Sequence, residues 1–134
     1  MTGTIAMEKI ESQREMLNEL SYKIWAKPEV GYLEYEACKL SSEALKAAGF
    51  EVEVGVFGVP TAIRASFGSG HPVIGLLGEY DALPGMSQKV KSEKDPVEAG
   101  APGQGCGHNL LGVAHIGAAI GMKEEMEKKG LKGT

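Results

Sequence analysis

A thiol and an imidazole stand two residues apart in Gly105-Cys106-Gly107-His108-Asn109, ahead of an apolar stretch. Both side chains bind transition metals, and both favour Zn2+ or a similar ion over Ca2+ or Mg2+. Upstream, Gly78-Glu79-Tyr80-Asp81-Ala82-Leu83-Pro84 carries two carboxylates at the end of an apolar run. Carboxylates in that position are costly to bury unless they are paired or bound to something. Their i, i+2 spacing places both on one side of an extended chain. One can then hold an ion while the other orients a ligand from behind. Two ligands do not complete a site, because Zn2+ usually takes three or four from the protein. On residue types alone, three readings of Cys106 and His108 stay open. They are a metal site, a buried thiol beside a capping histidine, and a Cys106 nucleophile activated by His108. Glu79 and Asp81 have a plain reading too, as a strand end that reaches solvent.

The elements that must position these groups follow from periodicity. Residues 7–26 carry Ile10, Leu17, Leu20 and Ile24 mostly on one face, which predicts a helix ending near Pro28. Residues 33–48 carry Leu33, Ala37, Leu40, Ala44 and Ala47 at helical steps, with Gly49 as a stop. Residues 50–57 alternate valine with glutamate and predict a half-buried strand; residues 61–67 predict a second. Residues 72–80 hold Val73, Ile74, Leu76 and Leu77 in a nearly continuous apolar run, which reads as a central strand covered on both faces. Residues 86–104 are polar and rich in turn formers, and form a long loop that is either mobile or a lid. Residues 110–129 predict a last helix, apolar to Ile120 and charged beyond, with Asn109 as its N-cap and Gly130 as its stop. Cys106 and His108 then precede its first turn, where backbone N–H groups and the helix dipole favour a thiolate. Residues 132–134 read as the approach to a further strand. The order is α-α-β-β-β-α, an α/β layer architecture with an incomplete sheet. A site after the central strand and beside a helix N-terminus fits the rule for open α/β sheets.

The bulk composition narrows the function classes. The chain has 134 residues, enough for one domain with a core, and its 43% apolar and 24% charged content is that of a folded globular protein. A net charge of −4, with no basic patch, argues against a nucleic-acid partner. No apolar run approaches the roughly 20 residues that span a bilayer, and residues 1–10 lack a signal layout, so no membrane partner is expected. Two distant cysteines are no disulfide framework, and a reducing, cytoplasmic setting is the default. Several other residues have structural readings. His115 lies two helical turns from His108, too far to share one ion. Cys38 reads as a small buried hydrophobe, and Trp25 as a core or interdomain anchor. Glu124 and Glu125 sit among lysines on a solvated helix end.

Four segments together resemble one family. Residues 25–34 (WAKPEVGYLE) are similar to its Pro-Glu-x-Gly-x-x-Glu signature, and residues 55–62 (GVFGVPTA), 78–85 (GEYDALPG) and 105–112 (GCGHNLLG) follow in its order. On these the chain resembles the N-terminal part of a metal-dependent amidohydrolase of the aminoacylase and carboxypeptidase group. Asn109, where many members have aspartate, favours the subgroup acting on aminobenzoyl-glutamate and dipeptide-like amides.

The resemblance implies a two-ion amide hydrolase using Zn or Mn, with a small-molecule amide as substrate and a homo- or hetero-oligomeric complete protein. It makes the positions of Cys106 and His108 metal ligands. Asp81 matches an aspartate that orients a histidine ligand, and Glu79 occupies that histidine's position, which makes it a further candidate ligand. In the family the ion lowers the pKa of water to about 7, and a glutamate base from a Glu-Glu pair takes the proton. That pair, the remaining histidine ligands and a dimerisation domain are expected outside residues 1–134. The chain alone is then expected to be catalytically silent, with residues 73–77 exposed as an aggregation-prone edge. A rival expectation is a non-catalytic metal-binding or assembly subunit.

Overall fold

The computed structural model describes residues 4–134. The chain opens with α1 (Ile5–Ser12), where Thr4 accepts the Met7 N–H at 3.2 Å and satisfies one of the free donors of the first turn. Helix α2 (Arg14–Ala26) follows at once. The single helix expected over residues 7–26 is therefore broken, at Gln13. The Ser12 hydroxyl donates to the Lys9 carbonyl at 2.6 Å, and the Gln13 N–H turns back to the Ile10 carbonyl. These i to i−3 bonds tighten the last turn of α1 and bend the path. The bend lets α1 lie along the last helix while α2 enters the core.

Helix α3 (Tyr35–Ala47) starts two residues later than its apolar stripe implies. Tyr32 is in the left-handed region (φ 68°) and the Leu33 N–H bonds Val30 in a turn. The helix start is then capped from outside: the Glu29 carboxylate accepts the N–H groups of Glu36 and Ala37 at 2.9–3.1 Å. A negative group there also suits the positive end of the helix dipole. At the other end Gly49 (φ 85°) closes a Schellman turn, with Phe50 N–H on the Leu45 carbonyl.

Strands β1 (Glu51–Val54) and β2 (Ile63–Ser66) pair antiparallel, Glu51 opposite Ser66 and Val54 opposite Ile63. They make a two-stranded sheet. The mixed α/β class and the incomplete sheet agree with the sequence expectation. The third strand does not. Residues 72–80 run extended but form no strand, and Val73, Ile74 and Leu77 are 63, 55 and 83% exposed. After β2 the chain turns away, and residues 69–74 make ladder-like contacts with the last residues, Ser69 with Gly133 and Ile74 N–H with the Thr134 carbonyl. No described residue supplies a strand on either side, so the apolar run has nothing to cover it.

Helix α4 (His108–Lys129) closes the fold. Its Val113, Ile116 and Ile120 form the core with Leu17, Leu20 and Ile24 of α2 and Ala37 and Leu45 of α3. Among the described residues, no helix is long and apolar enough to cross a membrane. The charged end of α4 is more than a solvated face: Glu125 accepts the Ala6 N–H at 3.0 Å and pairs with Lys129, and Glu124 meets Lys9 at 3.4 Å. Lys129 first, then the Ala6 N–H, hold the Glu125 carboxyl below the usual carboxylate range. A depressed pKa means that this contact stabilises above the ordinary carboxylate pKa, about 4.3, and is lost as pH falls through the folded value. Glu125→Gln should therefore lower the melting temperature at pH 7, and the gap to the wild-type chain should narrow at a pH well below the ordinary carboxylate range. Thermal melts at the two pH values check this.

Candidate metal centre

The two carboxylates and the imidazole are brought together by backbone pairing on either side of a long loop. Ala82, fully buried, pairs in parallel with Val30, and its N–H donates to the Glu29 carbonyl at 2.7 Å. Leu83 and Gly103 then exchange both backbone hydrogen bonds, at 2.9 and 3.0 Å. This pinches the base of the loop and returns the chain to residues 79–81. The loop is ordered inside as well. Ser87 N–H donates to the Ala101 carbonyl, and Asp95 pairs with Lys89 and Lys91 at 2.8 and 2.6 Å.

Gly107 stands at the N-cap position of α4 with φ 77°, so the helix starts at His108. Asn109 is thus inside the first turn and is not the cap. It is buried, and its amide donates to the hydroxyl and carbonyl of Ser21 at 3.1 and 3.3 Å. This ties the start of α4 to α2. Gly112, one turn on, lies against the Glu79 carbonyl so closely that a Cβ there would sit 2.4 Å from that oxygen. The segment bearing both carboxylates therefore rests directly on the backbone of the helix bearing the histidine.

His108 stands between the two acids. Asp81 Oδ1 is 2.7 Å from Nδ1 and Glu79 Oε2 is 3.0 Å from Nε2. An ionised carboxylate only accepts, so the Nδ1–H points at Asp81. In the neutral ring this leaves the Nε2 lone pair facing the Glu79 carboxylate. Two electron-pair donors at that separation share a cation, either a proton on Nε2 or a metal ion. Ligand atoms of all three residues lie within 4.8 Å of one another. Imidazole nitrogen and carboxylate oxygen each bond Zn2+ at about 2.0–2.2 Å, so a spacing of 3.0 Å suits two atoms on one small ion. The His108 side chain is 16% exposed, Asp81 31% and Glu79 52%, so the group opens to solvent on the Glu79 side. The donor set fits a divalent transition metal, with Asp81 fixing the ring from behind.

Of the four residues singled out in the sequence, Glu79, Asp81 and His108 converge. Cys106 does not join them; its thiol is exposed. Cys38 is buried as expected. His115 bonds the carbonyl of Leu111 at 2.8 Å within α4, and Trp25 stacks on Tyr22 rather than entering the core. Two shallow clefts of about 200 and 240 Å3 include none of the three converging residues.

Sequence reasoning missed the polar support behind the cluster. Tyr80, between the two acids, donates its hydroxyl to the Thr61 carbonyl, and Thr61 donates to the buried Glu34 carboxylate at 2.6 Å. Burial first, then Cys38, Glu34 and Glu29, push the Tyr80 phenol well above its usual pKa, so it stays a donor. Gln104 joins the Tyr80 carbonyl to the Asn109 N–H, both at 3.1 Å. The signal for Glu29 and Glu34 was in the Pro-Glu-x-Gly-x-x-Glu segment. Gln104 carried none.

An α/β chain with a histidine held between two acids at a helix start is the kind of scaffold on which metal hydrolases are built. Its relatives narrow the class. No family model matches the chain. It is 44% identical over 128 residues to one of the subunits of the p-aminobenzoyl-glutamate hydrolase of Escherichia coli strain K12, a match that covers 95% of this chain and 27% of that protein. It is 32% identical over 133 residues to the Xaa-Arg dipeptidase of Mus musculus, covering 91% and 27%. It is 32% identical over 114 residues to thermostable carboxypeptidase 2 of Saccharolobus solfataricus, covering 80% and 28%. By sequence the chain belongs to the aminoacylase and carboxypeptidase group of amidohydrolases. It spans about a quarter of the length of these relatives.

Proposed function

We propose that this chain carries one half of a divalent-metal centre for amide-bond hydrolysis, with His108 and Glu79 as ligands and Cys106, which stands outside the cluster in the metal-free chain, joining as a third when the ion binds. Asp81 orients His108 through Nδ1. The observation that carries the reading is the convergence of Glu79 Oε2 and His108 Nε2, at 3.0 Å, while Asp81 occupies the other ring nitrogen. The bound ion, Zn or Mn and one of a pair in the complete protein, supplies Lewis acidity toward the amide carbonyl and toward water. The chain's own residues hold and orient. The Nδ1–H stays on Asp81, which fixes the tautomer and aims Nε2. Tyr80 and Gln104 hold the segment that bears both acids.

Both carboxylates of the cluster face His108, so neither is free to take a proton from water. The general base belongs to residues outside this chain, and the chain alone hydrolyses no amide. The complete protein, soluble and cytoplasmic, cleaves an N-acyl amino acid, aminobenzoyl-glutamate or a dipeptide-like amide, and works as an oligomer. The similarity to a hydrolase subunit and two peptidases of this class supports that range.

The exposed Cys106 thiol gives a direct test of its role. If Cys106 ligates the ion, saturating Zn2+ should slow its alkylation by iodoacetamide at least tenfold, and Cys106→Ser should weaken Zn2+ binding. A thiol nucleophile independent of metal predicts alkylation at the same rate with and without Zn2+. That result removes Cys106 from the ligand set.

A further inference from the structure

Gln104 bonds the backbone of both halves of the cluster's framework. Its Nε2 donates to the Tyr80 carbonyl, between Glu79 and Asp81, at 3.1 Å. Its Oε1 accepts the N–H of Asn109, next to His108, at 3.1 Å. The two partners leave the amide no freedom of orientation. A carbonyl needs a donor and an N–H needs an acceptor, so turning the amide over would set like against like at both ends. The Asn109 N–H is also one of the free donors at the start of α4, and Gly107 offers no side chain to satisfy it.

The bond to Gln104 is one step in a longer series. Ser21 of α2 accepts from Asn109, Asn109 donates to Gln104, and Gln104 donates to Tyr80. Tyr80 donates to Thr61, and Thr61 to Glu34. The series runs from α2 through the start of α4 and the acid-bearing segment to the β1–β2 turn and α3. Ser21, Thr61 and Glu34 are buried, so those bonds are shielded from water. Gln104 is half-buried and is the only member of this series contributed by the loop of residues 86–104.

We propose that Gln104 is a positioning residue that sets the distance between the acid-bearing segment and His108. Its side chain bonds none of the three converging side chains. It acts through Tyr80 on one side and Asn109 on the other. The proposal rests on the metal-site reading only for its consequence in binding; the spacing itself is a property of the metal-free chain. Without the amide, residues 79–81 stay anchored by Ala82 and Gly112 but lose their backbone tie to the start of α4, and only the side-chain contacts of Glu79 and Asp81 with His108 remain there. The Glu79 and Asp81 carboxylates then sample a wider range about the ring.

The test uses the full 134-residue chain and two readouts. In the metal-free protein, nuclear Overhauser contacts from the His108 ring to the side chains of Glu79 and Asp81 should be present in the wild type. They should be lost or strongly weakened in Gln104→Ala, while contacts between Ile116 and Leu20 in the core persist. Co2+ titration should show at least tenfold weaker binding for Gln104→Ala. In the double variant with Glu79→Gln the further loss from Gln104→Ala should shrink to less than threefold, because the carboxylate whose position it controls is gone. A purely helix-capping role predicts intact ring contacts and additive losses, and would overturn the proposal. Gln104→Glu separates the roles again, since it keeps the acceptor for Asn109 but gives Tyr80 no donor: capping predicts restored ring contacts, positioning predicts they stay weak. If the ring contacts respond but Co2+ binding is the same in wild type and His108→Ala, the metal reading fails and the positioning role stands.

Discussion

His108→Ala should weaken Zn2+ binding at least 100-fold while leaving the fold in place. The ring is the best-buried member of the three converging groups and the only one whose ligand atom is fixed by a second partner. Removing it leaves the half-exposed Glu79, Asp81 and the exposed Cys106 thiol with no well-fixed donor among them, and such a set holds a transition ion poorly. A 100-fold loss corresponds to about 2.7 kcal/mol. The core is built by residues of α2, α3 and α4 deeper than the first turn, and His108 is not among them. Competition with a chromophoric chelator measures the affinity, and circular dichroism checks that helix content is kept. Asp81→Asn should fall between, with a loss of about 10–100-fold. The asparagine oxygen still accepts the Nδ1–H, but without the charge that strengthens the bond. Unchanged Zn2+ affinity in His108→Ala would remove the cluster as the binding site.

Gly112→Ala should disturb the cluster from a position that touches no ligand atom. The added Cβ would lie 2.4 Å from the Glu79 carbonyl oxygen, a backbone atom that no rotamer change can move aside. Overpacking of this kind costs about 1–3 kcal/mol. Alanine in a helix interior recovers about 1 kcal/mol of propensity. The net result should be mild loss of stability together with displacement of residues 78–80 away from α4, and a drop in Zn2+ affinity of tenfold or more. Gly117→Ala is the control. Its Cβ meets only the tip of Leu17, at 3.2 Å, which can shift. That variant should keep its metal affinity. Equal affinity in both variants would show that the close approach at Gly112 does not set the site.

Much of this arrangement was legible in the residues. The stripe of α3, the stop at Gly49, the alternating valines of β1 and the position of α4 follow from periodicities that tertiary contacts reinforce. The convergence of Glu79, Asp81 and His108 was legible as two short motifs, because a carboxylate pair at i, i+2 and a histidine at a helix start need only one chain reversal to meet. The failures have local causes. Ser12 and its hydroxyl break a helix whose apolar pattern runs straight through Gln13. Asn109 has the side chain of an N-cap, but Gly107 takes the cap position and Asn109 is drawn inward by Ser21. Residues 72–80 carry a central strand's composition, yet strand formation depends on neighbours that no local pattern can supply. Gln104 was invisible because its partners are backbone groups 24 and 5 residues away.

The contact between α1 and α4 fixes an order of assembly. Ala6 and Glu125 are 119 residues apart, and α1 contributes no fully buried residue of its own. During synthesis the N-terminal residues emerge first, so α1 is made with its docking surface still to come. Joining Ala6 to Glu125 closes a loop of that length, at an entropic cost that rises only slowly with length, about 0.6 kcal/mol per doubling. A helix of eight residues is too short to persist alone. Helix α1 therefore docks only once α4 has been made, and with no buried residue of its own it should be among the first elements to let go when the chain opens locally. Its attachment at Glu124 and Glu125 requires that the end of α4 be in place.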